Sequence, residues 1–204
     1  EKTIEALNNN EIKFPLIVKP RWGMGSLEIF TADNLEELKV FYLKTKRNIE
    51  KSYLKYESRQ DIENSVIIQE KIIGEEYGLD VINDLNGKYR NTVIRKKLGM
   101  RAGETDVAEI IENEIIKNMS IKLSSLSNHI GNLDMDILSD GNKYYVLEMN
   151  ARFGGGYPFS HLAGVNLPLA LIEWILGNEI NNELLEAKIG TVGQKDLQII
   201  KLSK

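Results

Sequence analysis

The chain has 204 residues, of which 42% are apolar and 27% are charged, and its formal net charge is −4. This composition is that of a globular protein of one or two domains, and the weak negative charge argues against nucleic acid or a membrane as a partner. The sequence has no cysteine and only two histidines, which excludes disulfides and thiolate metal sites and argues against zinc. Since no signal peptide is visible either, a reducing cytoplasm is the default expectation.

The first 70 residues predict short strands and one helix. Residues 12–20 are apolar and end at a proline, which predicts a buried strand, and residues 65–70 predict another. A glycine-rich turn at 22–26 follows the first strand, and residues 34–43 have the periodicity of a helix. Residues 1–7 are typical of the end of a helix. Because the first residue is not methionine, we expect the sequence to be part of a longer protein.

The rest of the chain predicts paired strands around one long helix. Strands at 76–83 and 88–98 flank an Asn-Gly turn and form a predicted hairpin. Apolar residues at helical spacing cover 107–128. The remaining predicted elements are strands at 131–139, 143–150 and 189–201 and a helix at 168–176. The mix is α+β with mainly antiparallel strands, which argues against a Rossmann sheet, and neither the dinucleotide-binding glycine fingerprint nor a P-loop occurs.

The strands predicted at 131–139 and 143–150 carry the most informative pattern. If they pair as a hairpin, side chains two residues apart share a face, which would gather Asp134, Asp136, Glu148 and Asn150. The apolar residues would take the other face and pack on a core: Leu133, Met135, Ile137, Leu147 and Met149. Oxygen ligands without histidine or cysteine suit Mg²⁺, which commonly accompanies nucleotide phosphates, and Arg152 could reach these phosphates. The alternative is the ordinary solvated face of a half-exposed strand.

Three further segments carry groups that suit a nucleotide or an anion. Lys19 ends the first predicted strand, and the glycine-rich turn after it could cover phosphates, although a plain hairpin turn is the alternative. Residues 69–77 bend at Gly74 and could present backbone groups to an adenine edge, or form an ordinary charged loop. A basic cluster could bind an anionic substrate or an acyl phosphate, or could be a solvated charged strand. This cluster comprises Arg95, Lys96, Lys97 and Arg101.

Taken in chain order, these motifs resemble an ATP-grasp enzyme. The motifs that carry the resemblance are the strand ending in Lys19-Pro20 with its glycine loop, the segment 69–77, the basic strand with Arg101-Ala102-Gly103-Glu104, and Asp136 followed by Glu148-x-Asn150-x-Arg152-x-Gly154. Within this family, the motifs look like those of the carbamoyl-phosphate-synthase large-subunit type of ATP-grasp ligase. The resemblance extends over residues 12–177, and its Glu-x-Asn-x-Arg motif is more specific than the glycine loop.

The resemblance implies an ATP-grasp fold of two α+β subdomains with mainly antiparallel sheets. A lid subdomain would cover residues 1–98, including part of a preceding helix, and a floor subdomain with the magnesium site would cover residues 99–204. Members of the family hold ATP between the two subdomains and carry a further N-terminal domain of roughly a hundred residues. The implied reaction activates a carboxylate or bicarbonate-like substrate as an acyl phosphate, which an amine then attacks.

Residue roles follow from the same resemblance. The implied ATP contacts are Lys19 at the α/β-phosphates, Gly23, Gly25 and Ser26 over the β/γ-phosphates, Glu70, Lys71 and Ile72 around adenine, and Glu76 at the ribose. The implied metal ligands are Asp136 and Glu148 for one Mg²⁺ and Glu148 and Asn150 for a second, with Mn²⁺ as a substitute. The implied catalytic residues are Arg152 and Arg101, and the implied substrate-binding residues are Arg95, Lys97, Gly154 and Gly155.

Two alternatives stay open beside the ligase hypothesis. The chain could be a module that binds nucleotide without turnover, or an inactive piece of a larger ligase, and a scaffold that binds no nucleotide is a weaker alternative. For the ligase, the expected partners are small-molecule carboxylate and amine substrates and the N-terminal domain of the parent chain. A homodimer is compatible with this expectation, whereas nucleic acid and membrane are not expected partners.

Overall fold

The computed structural model describes residues 2–23 and 27–197, so the predicted ATP contacts Gly25 and Ser26 lie outside the described residues. The chain divides into two compact units, the first ending at Ile72 and the second beginning at Ile73. The predicted boundary between lid and floor, after residue 98, falls within a strand of the second unit. In the described part of the chain, no helix is long and apolar enough to cross a membrane.

The first unit is built on a three-stranded antiparallel sheet with the strand order β2-β1-β3. Its elements are α1 (Lys2–Asn8), β1 (Leu16–Pro20), β2 (Phe30–Ala32), α2 (Leu35–Lys51), α3 (Leu54–Ser58) and β3 (Val66–Glu70). Helix α2 begins where the side chain of Asn34 accepts a hydrogen bond from the amide of Glu37, at 2.9 Å. The helix predicted from residue 34 is therefore confirmed, but it continues through the polar residues up to Lys51. Leu16, Val18 and Leu38 form the centre of this unit's core.

The second unit is built on a six-stranded sheet with the order β8-β7-β4-β5-β6-β9, in which every pairing is antiparallel. Its strands are β4 (Glu75–Asn83), β5 (Tyr89–Arg101), β6 (Glu104–Ile111), β7 (Gly131–Ser139), β8 (Tyr144–Asn150) and β9 (Val192–Gln194). Its helices are α4 (Glu114–Ser127), α5 (Tyr157–Leu162), α6 (Leu167–Ile175) and a 3₁₀ helix (Asn182–Leu185). The prediction of an α+β fold with mainly antiparallel strands is confirmed, as is the hairpin of β4 and β5.

The two faces of the large sheet have different partners. On one face, Leu79, Met135 and their neighbours pack against Ile116 of α4. On the other face, Ile82 and Val93 pack against Phe159 of α5 and residues of α6. Because side chains alternate along a strand, this second face continues along β4 and β5 from the apolar core into polar residues. These polar residues are Glu76, Asp80, Arg95 and Lys97.

The helix predicted over 107–128 is wrong in its first part. Residues up to Ile111 form strand β6, which pairs with β5 and β9, and the helix begins only at Glu114. The β-branched residues before position 112 happen to fit helical spacing, yet in the strand Ala108 and Ile110 point inwards together. Asn113 ends this ambiguity, because its side chain accepts a hydrogen bond from the amide of Ile116 at 3.1 Å and caps the helix.

The hairpin predicted at 131–150 is confirmed, but the burial predicted for the apolar residues of its second strand is wrong. Leu133, Met135 and Ile137 of β7 are buried as predicted. Leu147 and Met149 of β8 are 39% and 49% exposed. The reason is that β8 is the outer strand of the sheet, and α4 packs mainly on β5 and β4.

Candidate active site

The register of β7 and β8 gathers the predicted oxygen ligands. Asp136 lies opposite Glu148, and Asp134 lies opposite Asn150, so the four side chains share one face of the hairpin. The register shifts between Asp136 and Ile137, immediately beside these pairs. The Asn150 amide donates a hydrogen bond to Glu148 at 3.3 Å. The face predicted from the alternation in the sequence is therefore formed.

Strands β4 and β5 extend this face with a glycine at its centre. Gly78 of β4 lies opposite Asp136 on one side and opposite Arg95 on the other. A β-carbon at Gly78 would lie 3.3 Å from Arg95 and 3.4 Å from both Asp136 and Lys97. The absence of a side chain at this position therefore lets charged groups from β5 and β7 approach each other across β4.

Lys97 joins two of the predicted ligands. Its ammonium lies 2.6 Å from Glu76 and 2.9 Å from Asp136, and its side chain is only 7% exposed. Burial by itself would lower the pKa of Lys97, but the charges of Asp136 and Glu76 outweigh burial, and the pKa is raised. The proposed ribose carboxylate and the proposed metal carboxylate thus share one cation, which balances only one of their two negative charges.

Arg95 lies deeper than its predicted role in substrate binding suggests. Its side chain is 2% exposed, forms an ion pair with the fully buried Asp80, and donates to the Ser160 hydroxyl at 2.8 Å. A second nitrogen of Arg95 lies 3.7 Å from Asp134. Asp80 and Ser160 were not identified from the sequence, although Asp80 alternates with Glu76 and Gly78 along one strand. This alternation could have identified Asp80 from the sequence as a member of the same face.

Asp134 connects this buried pair to the surface. The guanidinium of Arg152, which is half-exposed, lies 2.5 Å from Asp134. Burial raises the pKa of the Asp134 carboxyl, and the hydrogen bond from Arg152 and the charge of Arg95 oppose this rise only in part. The structure therefore places Arg152 on the same face as the oxygen ligands, with its charge held by a carboxylate.

The glycines after Arg152 have specific neighbours. A β-carbon at Gly154 would lie 2.1 Å from the Asp134 carboxyl carbon, and one at Gly156 would lie 2.7 Å from the Arg95 guanidinium. A side chain at either position would have to displace the Asp134 carboxylate or the Arg95 guanidinium, so both positions favour glycine. At Gly155 the nearest atom would be 3.7 Å away, which is ordinary contact distance.

Arg101 lies beside a second, more exposed group of charges. Its guanidinium lies 2.5 Å from Asp106 and donates to the main-chain oxygen of Lys195 at 3.3 Å. The Lys195 ammonium lies 3.2 Å from Glu104, and a β-carbon at Gly155 would contact both of these side chains. Lys195 was not identified from the sequence, because it follows β9, almost a hundred positions after Arg101.

In the first unit, the predicted nucleotide contacts lie at strand ends. Lys19 is the second-last residue of β1 and lies opposite Ile67 of β3. Gly23 lies in the segment after β1. Glu70 ends β3 and accepts a hydrogen bond from the amide of Lys13 at 3.0 Å. The amide of Lys71 donates to the main-chain oxygen of Pro15 at 3.0 Å, and Ile72 follows as the last residue of the unit.

The donor set on β7 and β8 fits a hard divalent cation. Two carboxylates and one amide oxygen on neighbouring strands are the ligand types that Mg²⁺ prefers. Within residues 2–23 and 27–197, no group of three or more acidic residues, histidines or cysteines is arranged to hold a metal. Asp136, Glu148 and Asn150 include only two acidic residues, so substrate oxygens would have to complete the coordination of a metal held there, as is usual for Mg²⁺.

Residues 63–194, more than half of the chain, match the family described as ATP-grasp in the biosynthetic pathway with Ter operon. The chain belongs to this ATP-grasp family. The match includes Asp136, Glu148, Asn150 and Arg152, on which the predicted resemblance depends. The ATP-grasp prediction is confirmed, whereas the finer likeness to carbamoyl-phosphate synthase stays a prediction.

Solved structures share the ATP-grasp fold of this chain. The biotin carboxylase domain of Hydrogenobacter thermophilus 2-oxoglutarate carboxylase, in complex with MgADP, ADP and bicarbonate, is 18% identical, with a TM-score of 0.70, over 88% of this chain and 40% of its own. The N5-carboxyaminoimidazole synthetase of Staphylococcus aureus, complexed with ADP, is 18% identical, with a TM-score of 0.65, over 89% of this chain and 46% of its own. The L-amino acid ligase of Bacillus licheniformis is 19% identical, with a TM-score of 0.63, over 92% of this chain and 47% of its own. The chain thus spans less than half the length of these proteins.

Proposed function

We propose that this chain is the ATP-binding core of an ATP-grasp ligase. It binds Mg-ATP and activates a carboxylate or bicarbonate-like substrate as an acyl phosphate, which an amine then attacks. The single observation that carries the proposal is the register that sets Asp136 opposite Glu148, with Asn150 and Arg152 following along the same strand and turn. The family match and the solved relatives with bound ADP support it.

The proposed metal ligands follow from this register. Asp136 and Glu148 would hold one Mg²⁺, and Glu148 and Asn150 would hold a second. Bound there, the metal ions would neutralise charge on the phosphate oxygens of the nucleotide. Glu148 is central because it would contact both ions, which makes its removal the most damaging single change.

The chemistry requires positioning and charge more than a protein nucleophile. A carboxylate oxygen of the substrate attacks the γ-phosphorus, and ADP leaves with the electrons of the bond that breaks. The amine nitrogen then attacks the acyl carbon and gives up a proton, and phosphate leaves with the electrons of the bond between the acyl carbon and oxygen. Arg152 would stabilise the negative charge on the transferring group, as would Arg101 if the substrate reaches the end of β5. A chain with two histidines and no cysteine can therefore support this reaction.

Proposed nucleotide contacts also come from residues assigned by resemblance. Glu76 would hold the ribose hydroxyls, and Lys97, which pairs with Glu76 and Asp136, would hold an anionic group once these carboxylates bind ribose and metal. In the first unit, the proposed contacts rest on the resemblance alone. They are Lys19, Gly23, Gly25 and Ser26 at the phosphates and Glu70, Lys71 and Ile72 at adenine.

A calorimetric titration with Mg-ATP tests the proposal. We expect Glu148→Ala to abolish the magnesium-dependent part of nucleotide binding and Asp134→Ala to have a smaller effect, because Asp134 contacts arginines rather than metal in the proposal. Glu179→Ala, which changes an exposed glutamate of the same unit, is the matched control and should bind like wild type. Equal, small effects of the first two changes would show that the metal assignment is wrong.

A second assay separates the ligase from a module that binds nucleotide without turnover. ADP release is measured with Mg-ATP alone, with a panel of carboxylates, and with carboxylates and amines together. A ligase releases ADP when a carboxylate and an amine are both present. A chain that binds Mg-ATP but releases no ADP with any pair would support the binding module.

A further inference from the structure

The guanidinium of Arg152 is the end of a chain of alternating charges that begins in the protein interior. Asp80, which is fully buried, pairs with Arg95; Arg95 lies 3.7 Å from Asp134; and Asp134 lies 2.5 Å from Arg152. Both carboxylates face Arg95 from neighbouring strands, because Asp80 of β4 lies opposite Asp134 of β7. The exposed end of Arg152 is thereby connected to the buried part of the sheet.

The main chain of Arg152 is connected to the same carboxylate. The amide of Asn132 donates to Asp80 at 2.8 Å and to the main-chain oxygen of Arg152 at 3.3 Å. The Ser160 hydroxyl also donates to Asp80, at 2.6 Å. Asp80 thus receives three side-chain donors, and two of its partners lead to Arg152 by different routes.

The glycines that follow Arg152 hold the segment against these groups. Gly154 rests on the Asp134 carboxylate, and Gly156 rests on the Arg95 guanidinium, with no room for a β-carbon at either position. The turn after β8 therefore cannot shift without moving Asp134 or Arg95. Arg95 is almost entirely buried, so its contact with this turn is made inside the protein.

We propose that Asp134 and Arg95 are positioning residues that fix the side chain of Arg152 for the transferring phosphoryl group. The inference rests on the proposed function, because the phosphate contact of Arg152 belongs to it. An arginine bound through one nitrogen keeps its remaining donors for a ligand. Holding the side chain in advance reduces the ordering that phosphate binding must otherwise produce.

The first test needs no nucleotide. The order parameter of the Arg152 Nε–Hε group is measured by ¹⁵N relaxation, with the resonance assigned by its loss in Arg152→Lys. We expect an ordered group in wild type and values below about 0.6 in Asp134→Asn and in Arg95→Lys. Arg95→Lys keeps the charge beside Asp80 but cannot span to Asp134, and a thermal melt of each variant shows that it is folded.

The matched control is a second arginine–aspartate ion pair with the same nitrogen–oxygen distance. Asp106→Asn removes the carboxylate that lies 2.5 Å from Arg101, and its side chain is as buried as that of Asp134. This change should free Arg101 and leave the order of Arg152 unaltered. An Arg152 that stays ordered in Asp134→Asn, or that is already mobile in wild type, would overturn the inference.

The second test is a double-mutant cycle on the affinity for a non-hydrolysable ATP analogue with Mg²⁺. We expect Asp134→Asn to weaken binding roughly three- to tenfold in wild type, through the lost ordering of one long side chain. In the Arg152→Ala background the same change should no longer weaken binding. Equal losses in both backgrounds would overturn the inference alone. If Arg152→Ala itself leaves the affinity unchanged, the proposed phosphate contact is wrong, and the inference is overturned with it.

Discussion

Replacing Lys97 with methionine should strengthen divalent-cation binding while it weakens the fold. Lys97 keeps its ammonium between Glu76 and Asp136, at 2.6 and 2.9 Å, with little exposure to solvent. A metal ion that takes Asp136 as a ligand must compete with this ammonium for the carboxylate. Methionine has similar length and no charge, so the carboxylates of the variant are left for the metal.

The magnitude follows from the ion pair. Unit charges 2.9 Å apart attract by about 6 kcal/mol at an effective dielectric constant of about 20, and desolvation offsets much of this. The net value of a hydrogen bond between charged groups is about 1.5–3 kcal/mol. Without that bond to break, the metal affinity should rise about tenfold to hundredfold. The free energy of unfolding should fall by about 2–3 kcal/mol in metal-free buffer, since two carboxylates then repel each other.

The assay is a titration of Mn²⁺ or Mg²⁺ without nucleotide at pH 8, followed by calorimetry or, for Mn²⁺, by electron paramagnetic resonance. Lys96→Met is the matched control, because Lys96 is the neighbouring residue but points to the opposite face and pairs with Glu75. An unchanged affinity in Lys97→Met, or an equal rise in Lys96→Met, would refute the competition for Asp136. A fall in affinity would show that Lys97 supports the metal site instead.

Two further predictions concern stability. In urea denaturation, Gly154→Ala should lower the free energy of unfolding by about 2 kcal/mol, because the added β-carbon would press on Asp134. Gly155→Ala should change the free energy of unfolding by less than about 0.5 kcal/mol. Similar effects at the two positions would contradict the packing explanation. Burial opposes the ionisation of Asp84, but hydrogen bonds from the amides of Lys88 and Asn86 and from Arg90 outweigh it and lower the pKa of this carboxyl below its ordinary 3.8. The ionised Asp84 carboxylate therefore stabilises the folded state fully above pH 3.8. This stabilisation is lost as the pH falls through the lower pKa that Asp84 has in the folded state. We expect Asp84→Asn to cost about 2 kcal/mol at pH 7 and nothing in acid below the folded pKa, and a cost that is independent of pH would contradict this assignment.

Much of the candidate site could be predicted from the sequence because it depends on strand alternation. Once the two strands pair, alternation along each strand places four polar side chains on one face: Asp134, Asp136, Glu148 and Asn150. The strand alternation is a local property, and a short turn between the strands makes the pairing local as well. The same local signals predicted the hairpin of β4 and β5 and the α+β class. These signals failed at β6, because its β-branched residues fit the periodicity of a helix as well as that of a strand. Only the helix cap at Asn113 shows where the helix begins.

Residue spacing along the chain was enough to predict the oxygen-rich face of β7 and β8 and the ATP-grasp motifs. The charges that meet in the site could be identified only from the three-dimensional fold. The order β7-β4-β5 brings Lys97 to Asp136 and Arg95 to both Asp80 and Asp134, across separations that no local pattern encodes. Burial likewise depends on which helix covers which strand. For this reason Arg95, which the sequence suggested for a substrate, lies inside the protein, and the glycines after Arg152 are explained by the ion pairs they rest on.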